Sequence, residues 1–308
     1  MVILVLGSTG FIGRNLIEEL ERSTNFEIHG CSRSTGIDLR DYNQVSDKIQ
    51  EVSPDVIYNV ASHGGSLHYV KEYAADVFND NVQMALNIYR AVKEHSPKTK
   101  IIQPFSNCSY PGDSSIQEEK NWLSGEVHDS IFSFGNSKRS LYYLSSCYLT
   151  QCGISSVNIL FPNTYGPGDS CDPNHTHALN GMIIRMIEAK KRGDKEFVVW
   201  GTGSPVREWA YVDDFIDILI YAMDIDVKEW PINFGQAKGY SIAESAMMIK
   251  EAVGFDGDIT FDTTKTDGDP VKILSTKEFK KSFPEFEFYN HQLGIQNTVK
   301  YYEGKLLS

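Results

Sequence analysis

Gly7, Gly10 and Gly13, separated by two residues each in Gly7-Ser8-Thr9-Gly10-Phe11-Ile12-Gly13, are the residues whose type and spacing most directly suggest chemistry. Glycine turns the chain tightly and lets backbone N–H groups approach a pyrophosphate, which the positive end of a following helix then favours. Such a turn needs an element on each side. Before it stands the apolar run Val2-Ile3-Leu4-Val5-Leu6, short and β-branched enough for a strand buried on both faces of a parallel sheet. After it Phe11, Ile12, Leu16, Ile17 and Leu20 recur at helical spacing while Glu18, Glu19 and Glu21 face water. A tight turn without a ligand would use glycine in the same way. The position directly between strand and helix favours a dinucleotide site lined by Gly7, Thr9, Gly10, Phe11, Ile12 and Gly13.

Further elements extend this unit. Phe26–Cys31 reads as a second strand, followed by Ser32-Arg33-Ser34 where a carboxylate would meet the ribose hydroxyls of NAD. Arg33 suits a 2′-phosphate instead, so NADP(H) is favoured and NAD(H) stays possible. A third strand, Asp55–Val60, runs into small residues from Ala61, which let a cofactor lie close. Lys100–Gln103 and Ile154–Leu160 are two more strands, and Ala74–Glu94 is a long helix. The expected class is α/β: a doubly wound parallel sheet of Rossmann type with a smaller, interleaved C-terminal α/β lobe for substrate.

Composition narrows the possibilities. The chain has 308 residues and a net charge of -12, which disfavours nucleic acid and anionic membrane as partners. It lacks a run of eighteen apolar residues and a signal-peptide pattern, so a cytoplasmic location is expected. Cys31, Cys108, Cys147, Cys152 and Cys171 are odd in number and lack zinc-type spacing, so free thiols are expected and no metal.

The Gly-x-x-Gly-x-x-Gly turn resembles the extended short-chain dehydrogenase/reductases of the NAD-dependent epimerase/dehydratase family. Ser106-Asn107-Cys108-Ser109-Tyr110-Pro111, with His63-Gly64-Gly65, resembles the GDP-L-fucose synthase branch. So do Val198 to Glu208, Val212-Asp213-Asp214 and Phe261 to Gly268, a likeness over nearly the whole chain. The resemblance implies inversion of C3 and C5 in a GDP-linked 4-keto-6-deoxy sugar, then reduction of C4 with NADPH. A ketone acidifies the C–H bonds beside it, so a base and an acid on opposite faces can invert each carbon. The family's Cys and His map onto Cys108 and His177, with His175 as rival. A small buried hydrophobe and a helix-terminal polar residue are their ordinary alternatives. A thiol acts as a base only as its thiolate, for which a nearby imidazolium or the cofactor's positive surroundings are the expected support.

Reduction in the superfamily uses the Tyr of Tyr-x-x-x-Lys, a Ser or Thr, and the Lys. Ser106 and Lys138 match two of these, but the position four before Lys138 is Phe134, which has no hydroxyl. The resemblance therefore implies an epimerase whose reductase step is weak or lost. A complete epimerase/reductase with another donor and a non-catalytic sugar-nucleotide binder are the alternatives. Asp38-Leu39 resembles the adenine-contacting pair, with a helix N-cap as the plain role of Asp38. Asn163, Arg185, Trp200, Arg207 and Lys272 are the implied substrate residues, the cations on the diphosphate. Trp200 either flanks the base or fills the lobe core, and Asn163 alternatively forms a turn. The helices at Ala74–Glu94 and Ser137–Tyr148 imply a homodimer through a four-helix bundle. Residues 1–160 and 207–235 would form the dinucleotide domain, and 161–206 and 236–308 the substrate lobe.

Overall fold

The computed structural model describes residues 1–112, 116–226 and 231–307. From the N-terminus β1 (Val2–Leu6) passes through the glycine turn into α1 (Phe11–Ser23), β2 (Glu27–Cys31), α2 (Tyr42–Val52), β3 (Val56–Asn59) and α3 (Leu67–Glu72). The long α4 (Ala74–His95), β4 (Lys100–Ser106), α5 (Phe132–Cys152) and β5 (Ser156–Phe161) complete the first half. Then come β6 (Asn163–Tyr165), α6 (Ala178–Arg192), β7 (Glu196–Trp200), β8 (Val206–Tyr211), α7 (Val212–Tyr221) and β9 (Ile232–Asn233). The chain ends with β10 (Gly239–Ser241), α8 (Ile242–Val253), β11 (Asp258–Asp262), β12 (Val271–Lys272), α9 (Lys277–Ser282) and α10 (His291–Leu307).

Six strands form one parallel sheet in the order β2-β1-β3-β4-β5-β9. Ile3, Leu4, Val5 and Leu6 are buried because helices cover both faces. On one face Leu16 and Leu20 of α1 pack with Phe215, Ile216 and Leu219 of α7. On the other, Val45 and Ile49 of α2 join Ile88, Tyr89 and Val92 of α4. Connections from β1 and from β3 leave in opposite directions, which opens a crevice at the strand ends where doubly wound sheets bind ligands. The fold is the expected α/β class.

Two element boundaries move the site. β4 continues past Gln103 to Ser106, pairing Pro104, Phe105 and Ser106 with Ile159, Leu160 and Phe161. β3 pairs only with residues 100–102, so beyond them β4 is an edge on that side, where a residue without an N–H is tolerated. Helix α5 begins at Phe132, five residues before the expected Ser137, after a 3₁₀ turn at Asp129–Ile131. Phe134 and Lys138 therefore lie one turn apart on the same helical face.

The smaller lobe packs α6, α8 and α10 around Phe197, Val199, Trp209 and Tyr211. Its sheet runs β10-β8-β12 with β6 on β8, while β7 and β11 pair separately. β8, expected in the dinucleotide domain, places Trp209 and Tyr211 in the small-lobe core. Phe279, Phe283, Phe286 and Phe288, expected in the small lobe, pack on the large one against the cluster of Phe161, Phe215 and Phe234. Aromatic burial decides this, since each fully buried Phe contributes about 1.5–3 kcal/mol and Phe279 is buried.

Candidate active site

The glycine turn has the shape of a cradle. Gly7 has φ +88°, and a Cβ there would lie 2.8 Å from Cα of Ala61. A Cβ on Gly13 would lie 2.2 Å from the Gly7 carbonyl oxygen, so α1 sits directly on the turn. Gly7 and Ser8 donate their N–H groups to the Cys31 carbonyl at 2.8 and 3.1 Å. Gly10 precedes α1 and supplies no side-chain cap, which leaves the first helical N–H groups for an anion. Side chains would fill this space, and their absence fits a pyrophosphate. Phe11 and Ile12, half-buried, pack against the core beneath it.

Beside the turn, three hydroxyls meet. Thr9 Oγ1 lies 3.0 Å from Ser32 Oγ and 2.8 Å from Ser34 Oγ, and the two serines lie 2.9 Å apart. Arg33, exposed, stands in the 3₁₀ turn between them, and Arg14 donates to the Thr9 carbonyl at 3.0 Å. Ser32 and Ser34 were not singled out from the sequence, although their place after β2 is the signal. Asp38 is forked by Arg40, whose guanidinium donates to it at 2.6 Å and holds the carboxyl well below the usual carboxylate range. Asp38 does not cap α2; Asp41 does, accepting from the Asn43 N–H at 2.9 Å. Leu39 is buried in the core beneath this loop, and its carbonyl accepts from Asn87 Nδ2 at 2.9 Å.

At the next strand end Lys138 reaches inward from α5. It is buried, its Nζ donates to Ser62 Oγ at 3.2 Å, and burial pushes its ammonium down to about 8. Phe134 faces it, with the ring centroid 5.3 Å from Nζ. The same ring presses on Gly64, where a Cβ would lie 3.1 Å from Cε2. A Cβ on Gly135 would lie 2.6 Å from the Cys108 carbonyl oxygen and 2.5 Å from Val127 Cγ1. Gly135 thus lets α5 settle on the turn that carries Cys108.

Ser106 Oγ accepts from the Cys108 N–H at 3.1 Å. The partner of the Cys108 sulfur is Lys272, whose Nζ donates to it at 3.3 Å. The group that meets the thiol is thus Lys272 of β12, the residue that the resemblance implies on a diphosphate. Pairing of β12 with β8 sets Lys272 opposite Arg207. Buried Glu208 fixes that pairing by accepting from the N–H groups of Leu274 at 2.7 Å, Ala237 at 3.1 Å, and Gln236. Burial pushes the Glu208 carboxyl up to about 7.

His177 precedes α6 without capping it. Its Nδ1 lies 3.0 Å from Asp169 Oδ2, which also accepts from the His177 N–H at 2.9 Å and from Asn180 Nδ2 at 2.8 Å. Desolvation opposes protonation, but the Asp169 carboxylate outweighs it and raises the His177 imidazolium above its ordinary value. The ring stands 5.6 Å from that of Phe11, beside the glycine turn. Asp169 was not foreseen; an Asp eight residues before the His was its only sequence signal. His175 instead lies 3.4 Å from the Gly64 carbonyl and edge-on to Tyr69.

Among the substrate candidates, Arg185 lies between Phe197 and Trp200, its guanidinium 5.0 and 5.2 Å from their ring centroids. Trp200 is 63% exposed, so it does not fill the lobe core. Arg207 Nη1 donates to the Val206 carbonyl at 2.9 Å. Asn163 lies on β6 rather than in a turn, and its Nδ2 donates to the Glu208 carbonyl at 3.3 Å.

Comparison with known proteins agrees with this geometry. The model of the NAD dependent epimerase/dehydratase family matches residues 3–235. GDP-L-fucose synthase 1 of Arabidopsis thaliana is 29% identical over 279 residues, covering 90% of this chain and 85% of that protein. GDP-L-fucose synthase of Escherichia coli (strain K12) is 26% identical over 307 residues, covering 96% and 92%. The crystal structure of a GDP-L-fucose synthetase from Naegleria fowleri bound to NADP superposes with TM-score 0.88 at 26% identity, covering 100% of this chain and 95% of that one. The glycine cradle at the head of a six-stranded parallel sheet is thus that of a known family: the chain belongs to the NAD-dependent epimerase/dehydratase family.

Proposed function

We propose that the protein acts on a GDP-linked 4-keto sugar in the manner of the GDP-L-fucose synthases, inverting the carbons beside the ketone with Cys108 and His177. Position 134 gives no proton to reduction at C4. The observation that carries this reading is Lys272 Nζ 3.3 Å from the Cys108 sulfur, which sets a hydrogen-bond donor on the atom assigned to take the proton. His177, whose imidazolium Asp169 favours, is the complementary acid. Arg185, Arg207 and exposed Trp200 supply the cations and the flat surface that a nucleoside diphosphate takes. Asn163 is the further substrate contact proposed on β6.

NADP(H) is the proposed cofactor. The hydroxyls of Thr9, Ser32 and Ser34 beside Arg33 suit a 2′-phosphate. Asp38, Leu39 and Ala61 would border the adenosine and nicotinamide ribose, with Lys138 on the latter. A homodimer through α4 and α5 is proposed because Phe78 and Leu86 on α4 and Tyr143 and Leu149 on α5 are exposed apolar side chains; light scattering of the pure protein checks it. No helix among the described residues is long and apolar enough to cross a membrane.

The test is Cys108→Ser in deuterium oxide with a GDP-linked 4-keto-6-deoxy sugar. The wild type incorporates deuterium at C3 or C5, and the variant loses this by at least about 100-fold, the usual worth of a positioned base. Undiminished incorporation would make Cys108 structural.

A further inference from the structure

Position 134 carries no hydroxyl, and a second aromatic ring stands on the glycine next to Gly64. Where Phe134 covers Gly64, the ring of Tyr69 covers Gly65: a Cβ there would lie 2.6 Å from Tyr69 Cδ1. Tyr69, Cys108 and Phe134 pack on one cluster formed by Val70, Val77, Val127 and Ile131. From α3 the Tyr69 hydroxyl turns back to His63, 2.8 Å from Nε2. The other ring nitrogen, Nδ1, lies 2.9 Å from Asp80 Oδ2. Asp80 is itself paired with Arg40 at 3.1 Å, so one carboxyl group joins the imidazole to a guanidinium.

His63 stands between two parts of the reduction site. Ser62 before it accepts from Lys138, and Gly64 after it carries Phe134. Asn81 ties the segment down: its Oδ1 accepts from Ser62 Oγ at 3.2 Å and from the His63 N–H at 3.0 Å. Its Nδ2 donates to the His63 carbonyl at 2.8 Å. The phenol, the imidazole and the carboxylate are therefore held in one hydrogen-bonded chain at the strand end where Lys138 reaches in.

We propose that Tyr69, positioned by His63 and Asp80, delivers to the C4 oxygen of the sugar the proton that residue 134 cannot supply. This rests on the GDP-linked 4-keto sugar reading. Hydride from a reduced nicotinamide adds to C4, and the carbonyl π pair moves onto oxygen. That oxygen takes the proton of the Tyr69 hydroxyl. The phenolate is reprotonated from solvent through Nε2 of His63, whose Nδ1 is held at Asp80 Oδ2. Tyr69 is the catalytic residue in this step, and His63 and Asp80 are positioning residues.

The test uses Tyr69→Phe, which keeps the ring on Gly65 and removes only the hydroxyl. NADPH oxidation with a GDP-linked 4-keto-6-deoxy sugar should fall by at least about 100-fold. Deuterium incorporation at C3 and C5, NADPH affinity by fluorescence and the melting temperature should hold. Adding Phe134→Tyr to Tyr69→Phe should restore oxidation by at least about tenfold, by returning a phenol beside Lys138. If Tyr69→Phe does not fold, His63→Leu is read instead: kcat for reduction should fall at constant KM while incorporation holds. Reduction within about twofold of wild type in these variants would overturn the donor assignment, on the scale of what a general acid is worth. So would a wild type that incorporates deuterium but consumes no NADPH. A wild type that does neither would refute the GDP-sugar reading, and the donor assignment with it.

Discussion

Lys138→Met should make the protein more stable at neutral pH while weakening its cofactor site. The lysine is buried, held at about 8 rather than its ordinary 10.5, and desolvation is the cause. At pH 7 the folded state therefore keeps a charge that the unfolded chain carries in water, at a cost of about 3 kcal/mol. Methionine keeps most of the stem and removes the charge. It also removes the hydrogen bond to Ser62, worth about 1 kcal/mol, and the weak attraction of the Phe134 ring at 5.3 Å. The net gain is about 2 kcal/mol at pH 7. Its sign with pH follows from the lowered folded value. Between about 8 and 10.5 the unfolded chain binds more protons than the native one, so wild-type stability rises with pH across that window. Urea unfolding of both proteins at pH 7 and pH 9.5 measures this, and the advantage of the variant should narrow by about 2 kcal/mol between them. A variant less stable than wild type at pH 7, or a gap independent of pH, would refute the reasoning.

Two other outcomes are expected. Arg33→Ala should weaken NADPH binding by at least about tenfold and leave NADH nearly unchanged, because only a 2′-phosphate needs the guanidinium; fluorescence titration with both cofactors decides, and equal losses would remove the NADP assignment. Asp169→Asn should move the alkaline limb of epimerisation to lower pH, since the carboxylate is what raises His177. The same pair adds stability below the ordinary imidazole value, lost as pH rises through the raised one, and the variant should lack that acid-side gain. A pH profile of deuterium incorporation that does not shift would remove His177 from the acid's role.

Residues close together in sequence carried much of what could be read in advance. The apolar run, three glycines and an amphipathic helix specify a strand, turn and helix through local periodicity, and Cβ contacts at Gly7 and Gly13 explain why no other residue serves there. The substitution at Phe134 was legible for the same reason, as a count of four from Lys138 along one helix. The tertiary structure decided which distant groups meet. Lys272 reaches Cys108 across 164 positions only because β12 pairs with β8 and Glu208 clamps them. Phe279 to Phe288 join the large lobe because its exposed sheet face needed covering, a requirement invisible in their own spacing. The Asp80–His63–Tyr69 chain is assembled from three separate elements: α4, the segment after β3, and α3. Periodicity reports which face of an element is buried, but the partner it finds there depends on how the other elements pack.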